Sequence, residues 1–387
     1  MILNARQGRI LCCEIAAFRR MGDRLRPPPS SITPNLDHKG DMTAPAVLSV
    51  DLNALARNYH TLEAVSGQPV HPVVKADGYG LGAQAVATRL MAEGARTFFV
   101  ARAAEGVRLR AALGADGPVI YVLDGCHGDD AAMLKAADLR PVLNHPAQIQ
   151  AWRAAGGGTC GLQIDTGMNR LGIRPEDAPE AFDGLALVLT HLACADEPAN
   201  PMNRRQRDAF AGVLDRYPGV VRSFANSSGC FLGPDFAFDT VRPGICLYGG
   251  GPEGRPDPRI APVATLTAEV LQVRDVPAGE SVGYSRGYIA ERPIKVATVA
   301  AGYADGLLRS YSPKGAVWIA NETCPLLGRV SMDVCAVDIS GLDVAVGDPV
   351  ELFGPNRLLD DAAAAAGTIS YELLTSITPR VPRVYFQ

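Results

Sequence analysis

The chain has 387 residues, too many for one compact core, so the expectation is two domains. Hydrophobic residues make up 47% and charged residues 20%, an ordinary soluble-protein composition. A net charge of −4 gives no sign of a nucleic-acid partner, and no apolar run approaches the roughly 20 residues of a spanning helix.

Residues 1–44 differ from the rest: PPPSS at 27–31, several arginines and no periodic apolar face. The short run ILCCEIAAF is broken by Glu14 and makes a poor signal peptide. This stretch reads as a disordered extension, and a translation start at Met42 explains it equally well.

From about residue 47, short apolar runs alternate with amphipathic or alanine-rich stretches. LSVDL (48–52) precedes a helix-like ALARNYHTLEAV, followed by HPVVKA, TFFVA, PVIYVLD, LRPVLN, GLQID, LALVLTHL, VVRSFAN and DTVRPGICLYG. Helical stretches at 83–95, 103–115 and 203–217 separate several of them. Strands alternating with helices predict a parallel sheet, and eight such strands after the leading one predict a (β/α)8 barrel of the TIM type. A doubly wound sheet would read similarly, but no GxGxxG follows the first strand.

Near residue 262 the texture changes to strand-like segments with Gly, Pro and Asn turns, predicting a mostly antiparallel β-domain that ends in a short helix and a final strand. The expected division is therefore 1–44 extension, 45–262 α/β barrel, 263–387 β-domain. Nine scattered cysteines without a CxxC fit a reducing, cytoplasmic setting better than a disulfide framework. Six dispersed histidines without HExxH argue against a metal site.

In a β/α barrel, reactive groups gather at the C-terminal ends of the strands. Lys75 ends the first barrel strand, Asn226, Ser227, Ser228 and Gly229 follow the seventh, and Arg242, Pro243, Gly244 and Ile245 belong to the eighth. The loops after strands seven and eight commonly bind phosphate. A lysine facing a phosphate site is the minimum constellation for a pyridoxal phosphate (PLP) Schiff base. Each piece alone has a plain alternative: a rim lysine, a turn, a strand end.

VVKADGYGLG, QIDTGMNRLGIR, THLACADE, ANSSG, VRPGICLYG, VGYS, GYADG, GRVSMD and ISYELLTSITPRVPRVY together, in this order from about residue 47 to the end, resemble the alanine racemase family. The resemblance implies the barrel followed by a β-domain, PLP as cofactor, and a homodimer whose active sites are shared between subunits. It implies racemisation of alanine, supplying D-alanine for peptidoglycan or consuming it as a carbon source.

By the same resemblance Lys75 is the PLP-binding lysine and one of two catalytic bases. Tyr284 is the other, contributed by the partner, and His191 supports it through a network with arginine. Racemisation removes the α-proton from one face and returns one to the other, so two bases suit the chemistry. Arg242 resembles the residue facing the pyridine nitrogen, where a permanent cation leaves that nitrogen unprotonated. Tyr79, Ser227, Gly244, Ile245 and Tyr371 resemble the phosphate ligands, although Tyr371 could equally be a packing aromatic. Arg170 resembles the substrate-carboxylate arginine, joined by Met332 from the partner with Asp333 nearby, and Tyr303 lines the entrance from the partner.

One position departs from the pattern. Many members carry a carbamylated lysine two residues before DTGM; here it is Gln163, which cannot form a carbamate. Arg170 is then expected to hydrogen-bond to the neutral amide, or a small anion to fill the gap. Three competing readings are a broad-specificity or serine racemase, a related two-domain PLP decarboxylase, and a non-catalytic PLP carrier or regulator. Arg170 and the Met332 region, set to hold a carboxylate, speak against the decarboxylase, and the presence of Tyr284 and SMD speaks against the carrier.

Overall fold

The computed structural model describes residues 44–128 and 130–387. Of the extension expected over residues 1–44, residues 1–43, with Met42, Cys12 and Cys13, lie outside the described residues.

Strand β1 (Ala46–Asp51) runs directly into helix α1 (Leu52–Ser66). Asp51 starts the helix by accepting a hydrogen bond from Ala54 N at 2.8 Å, a cap worth about 1 kcal/mol. Leu52, Leu55, Tyr59 and Leu62 recur at helical spacing and are all buried. Gly67 ends the helix at φ 66°, its N–H donating to Glu63 O.

The barrel then follows in chain order: α2 (Lys75–Tyr79), α3 (Ala83–Ala92), β2 (Thr97–Val100), α4 (Ala103–Leu113), β3 (Val119–Val122), α5 (Asp130–Ala136), β4 (Arg140–Leu143), α6 (Pro146–Ala154), β5 (Cys160–Gln163), β6 (Leu185–Leu189), α7 (Pro201–Ala211) and β7 (Val221–Ser223). Strands β2 to β7 form one parallel sheet in sequential order. Two extended segments close the ring through the bridges Val73–Phe99, Val70–Val241 and Ser223–Thr240. Of the eight strands expected, the first and last are therefore single-bridge staves, not ladders. The reason lies in their sequences: Pro69, Pro72 and Pro243 have no N–H to donate. The remaining donors still pair, His71 N to Val241 O at 2.9 Å and Val73 N to Pro243 O at 3.0 Å.

The second half of the chain comprises β8 (Ala264–Val276), β9 (Ser281–Val282), β10 (Tyr288–Ile289), β11 (Ile294–Val299), β12 (Ala316–Ile319), β13 (Glu322–Leu327), β14 (Cys335–Asp338), β15 (Pro349–Phe353), α8 (Leu359–Ala366), α9 (Ser370–Ser376) and β16 (Arg383–Phe386). The long β8 pairs with β15 through its first half and with β11 through its second, so the order β8-β15-β12-β13-β14-β11 returns to β8. Ala320 and Asn321 join β12 to β13 with positive φ at both positions, as a tight type I′ hairpin requires. Helix α8, not foreseen from the alanine-rich LDDAAAAA, buries Leu359, Ala362, Ala363 and Ala366. Sequence order alone puts residues 45–51 with the barrel. Their hydrogen bonds instead place β1 between β8 and β16 in this second sheet.

Candidate active site

The staves end around a cavity of about 590 Å³ that contains Lys75, Tyr79, Arg170, His191, Arg242 and Tyr371 in its wall. Lys75 opens a turn of unusual hand. Ala76, Asp77, Gly78 and Tyr79 all have φ between 52° and 64°, a left-handed helical turn. Each non-glycine residue in that conformation costs about 1–2 kcal/mol, so the turn survives only because its surroundings over-determine it. Gly78 N donates to Val74 O at 2.9 Å and Gly80 N to Ala76 O at 2.8 Å. Asp77 Oδ1 accepts from Ala83 N, and Glu105 Oε1 accepts from Ala76 N, both at 2.8 Å. The last strand closes the far end, with Arg383 Nε donating to Gly80 O at 3.0 Å and Tyr385 Oη to Leu81 O at 2.8 Å. Burial first and the Arg170 charge second lower the proton affinity of Lys75, and Glu105 partly offsets them.

Across the cavity, Tyr79 stacks on Tyr248 at 4.6 Å between ring centroids and approaches Tyr371 at 5.9 Å. A side chain at Gly244 would collide with the Tyr79 hydroxyl, so this close approach requires a glycine. Ser227 Oγ accepts from Gly244 N at 2.8 Å and from Cys246 N at 3.3 Å. Ser227, Gly244, Ile245 and Tyr371 thus share one end of the cavity with Tyr79. Burial raises both the Tyr79 and Tyr371 hydroxyls above the usual phenol range, so both remain donors.

Arg242 is buried within the barrel. Its Nη1 donates to Ser223 Oγ at 2.6 Å, its Nη2 to the Thr190 carbonyl, and its guanidinium lies 5.9 Å from the centroid of Phe99. Burial pulls its pKa down to about 10, which still leaves it cationic at neutral pH. His191 is pushed down to about 3 by burial and then by Arg242, Arg170 and Lys75, so its imidazole is neutral. The fully buried Gln206 fixes its segment: Nε2 donates to His191 O at 2.9 Å and to Thr166 Oγ1 at 3.2 Å, and Oε1 accepts from Ala193 N at 2.9 Å.

Arg170 rides on a loop that folds back on β5. Asp165 Oδ1 accepts from Gly167 N and Asn169 N, each at 3.0 Å, and Asn169 takes φ 56°. The expected Gln163–Arg170 hydrogen bond is not formed. Gln163 Nε2 donates instead to Leu171 O at 3.0 Å, because the returning loop brings that carbonyl over the buried amide.

Three of the residues singled out do not reach this cavity. Tyr284 is 71% exposed, Met332 53% and Tyr303 42%. Tyr303 and Met332 belong to adjacent loops, Tyr303 N donating to Ser331 O at 3.0 Å and Ala304 N to Met332 O at 2.9 Å. Arg380 clamps these loops, bonding Asp305 and Asp333 at 2.8 Å each. Glu105, Ser223, Gln206 and Arg383 escaped the sequence reading. Each acts on a partner between 13 and 303 positions away, a separation no local motif encodes.

Against known proteins, residues 50–252 match the family described as alanine racemase, N-terminal domain, and residues 263–385 match alanine racemase, C-terminal domain. The chain is 44% identical over 344 residues to an alanine racemase of Jannaschia sp., covering 88% of this chain and 98% of that one. It is 46% identical over 364 residues to a protein of Mesorhizobium japonicum named "alanine racemase, catabolic", covering 89% and 94%. Among solved structures it is similar to the alanine racemase of Bartonella henselae with covalently bound pyridoxal phosphate, with TM-score 0.84, 37% identity and coverage of 89% and 100%. The biosynthetic alanine racemase of Pseudomonas aeruginosa gives TM-score 0.84 and 38% identity, with coverage of 89% and 99%. The chain belongs to the alanine racemase family.

Proposed function

We propose that the protein interconverts L- and D-alanine with pyridoxal phosphate, held through Lys75, and two proton-transfer groups on opposite faces of the substrate. One observation carries this reading. A single cavity presents a lysine, a buried arginine, a neutral histidine and a second arginine on a hydrogen-bonded loop, with phenol hydroxyls and a glycine cradle at one end.

These residues fit the cofactor. The hydroxyls of Tyr79, Ser227 and Tyr371 and the backbone at Gly244 and Ile245 suit a phosphate dianion, and the collision a side chain at Gly244 would make shows how closely that wall is drawn in. When bound, PLP supplies the electron sink that makes the α-proton of the amino acid removable. Arg242, cationic and anchored by Ser223 and Thr190, would face the ring nitrogen and keep it unprotonated. A cation held there would temper the sink and favour quick return of the proton to the substrate. Arg170 would take the substrate carboxylate and fix which bond points at the bases. Lys75, its amine lowered by burial, would move the proton on one face.

On the other face we assign Tyr284 of a second copy of this chain, with Met332 and Tyr303 beside it. Their exposure in one subunit supports the assignment, and for Tyr303 and Met332 so does the pairing of their loops. The working unit is then a homodimer. Buried, unpaired cysteines among the described residues support a cytoplasmic setting, and no helix among them is long and apolar enough to cross a membrane. Supply of D-alanine for peptidoglycan is the role we favour. The test is incubation with PLP and L-alanine followed by chiral chromatography. Approach to near-equal enantiomers, abolished in Lys75→Ala, is the expected result; a covalently loaded protein that makes no D-alanine would overturn it.

A further inference from the structure

At its start, the left-handed turn that begins at Lys75 is tethered by a residue that lies neither in the turn nor in the cavity wall. Glu105 sits at the third position of helix α4, just after the end of β2. Its Oε2 accepts from Ala101 N at 2.8 Å and from Arg102 N at 3.0 Å, which is what a glutamate at that position does when it caps its own helix. Its Oε1 has a different task. It accepts from Ala76 N at 2.8 Å, 29 positions back in the chain.

Ala76 is the residue directly after Lys75 and the first of four consecutive residues in the left-handed region. Inside the turn, carbonyls of Val74, Ala76 and Asp77 take the N–H groups of Gly78, Gly80 and Gly82. The Ala76 N–H stands before the first of these pairs and finds its acceptor only in Glu105. A single carboxylate therefore ties the lysine turn to the loop after the neighbouring strand. Three N–H groups share its two oxygens.

We infer that Glu105 is a positioning residue for Lys75: its carboxylate holds the strained turn in register with β2 and so fixes where the lysine amine enters the cavity. The inference rests on the reading of Lys75 as the cofactor lysine. Helix capping alone does not account for it, because the capping bonds use one oxygen and the bond to Ala76 uses the other.

The test uses the full chain stripped of cofactor and re-exposed to PLP. The readout is the rate of covalent attachment, trapped by borohydride and counted by mass spectrometry, together with the pH dependence of the bound chromophore. Glu105→Gln keeps the shape but leaves an amide nitrogen that cannot accept. It should slow attachment by roughly tenfold or more and move the chromophore's pH midpoint, since small misplacements of a reacting group are costly. Ala76→Gly in the Glu105→Gln background should recover most of that rate, because glycine enters the left-handed region without the Cβ penalty. If Glu105→Gln does not fold, Glu105→Asp, which keeps the charge but is too short to span both loops, is judged by the same criteria. Attachment at the wild-type rate with an unshifted midpoint, or no recovery on adding Ala76→Gly, would overturn the inference. Failure of the wild-type chain to attach PLP at Lys75 would instead overturn the assignment of the lysine.

Discussion

Gln163 Nε2 donates to the carbonyl of Leu171 at 3.0 Å, so a buried neutral amide holds the residue next to Arg170. The support given to the arginine is mechanical: the amide ties down its loop and brings no charge. Two outcomes follow. Bicarbonate should leave turnover unchanged, because no amine stands at this position to be carbamylated. Gln163→Ala should raise KM for alanine by roughly three- to tenfold while kcat stays within about twofold, as loss of one buried hydrogen bond of about 1 kcal/mol predicts. Initial rates with and without bicarbonate decide it, and activation that disappears in Gln163→Ala would contradict the mechanical account.

Gly244 is packed against the Tyr79 hydroxyl so closely that a Cβ has no room. Gly244→Ala therefore tests that close approach. Overpacking of this kind costs about 1–3 kcal/mol. The variant should melt lower and lose PLP on dialysis that leaves the wild type loaded. Retention of full cofactor at wild-type affinity would show that the phosphate lies elsewhere.

Two half-buried histidines, His71 and His191, give the cofactor-free chain a defined acid response. Burial lowers His71 to about 4, with Arg242 adding to the effect, and His71 Nδ1 has no hydrogen-bond partner. His191 is lowered to about 3. In the unfolded chain both titrate near 6.5, so between pH 6.5 and the folded values the unfolded state binds more protons. Stability is therefore complete above pH 6.5 and falls as pH drops, by up to about 1.4 kcal/mol per pH unit for each histidine. Replacing His71 with Gln should remove its share of the slope between pH 6.5 and 4. Thermal melts across that range check it, and identical slopes in the two proteins would refute it.

What the sequence made legible follows the range of each interaction. The stave VVKADGYGLG and the alternation of apolar runs with helices placed the barrel, because strand and helix periods are local. The prolines at 69, 72 and 243 were equally visible, yet their effect depends on which neighbours they face, and the first and last staves came out as single bridges. The cavity residues were identified by motif resemblance, and Lys75, Tyr79, Arg170, His191, Arg242 and Tyr371 do converge. The devices that hold them were not legible. Nothing near residue 105 points to Ala76, nothing in the last strand marks Arg383 as a clamp on Gly80, and the amide at 163 could not be aimed before its loop was folded.

The exposure of Tyr284, Met332 and Tyr303 yields the sharpest test of the shared site. If Lys75 of one subunit works with Tyr284 of its partner, Lys75→Ala and Tyr284→Phe are each inactive alone, for different reasons. Mixed and allowed to exchange, the two proteins form heterodimers in which one site carries both lesions and the other carries neither. Random pairing makes about half of the dimers mixed, so activity should return to about a quarter of the wild-type level, as a two-fold dimer demands. A site built within one subunit gives no such recovery, because every copy then carries one lesion in its own site. Activity measured after mixing, with subunit exchange verified by native mass spectrometry, separates the two. Complete exchange with no recovered turnover would return Tyr284 to the status of a surface tyrosine.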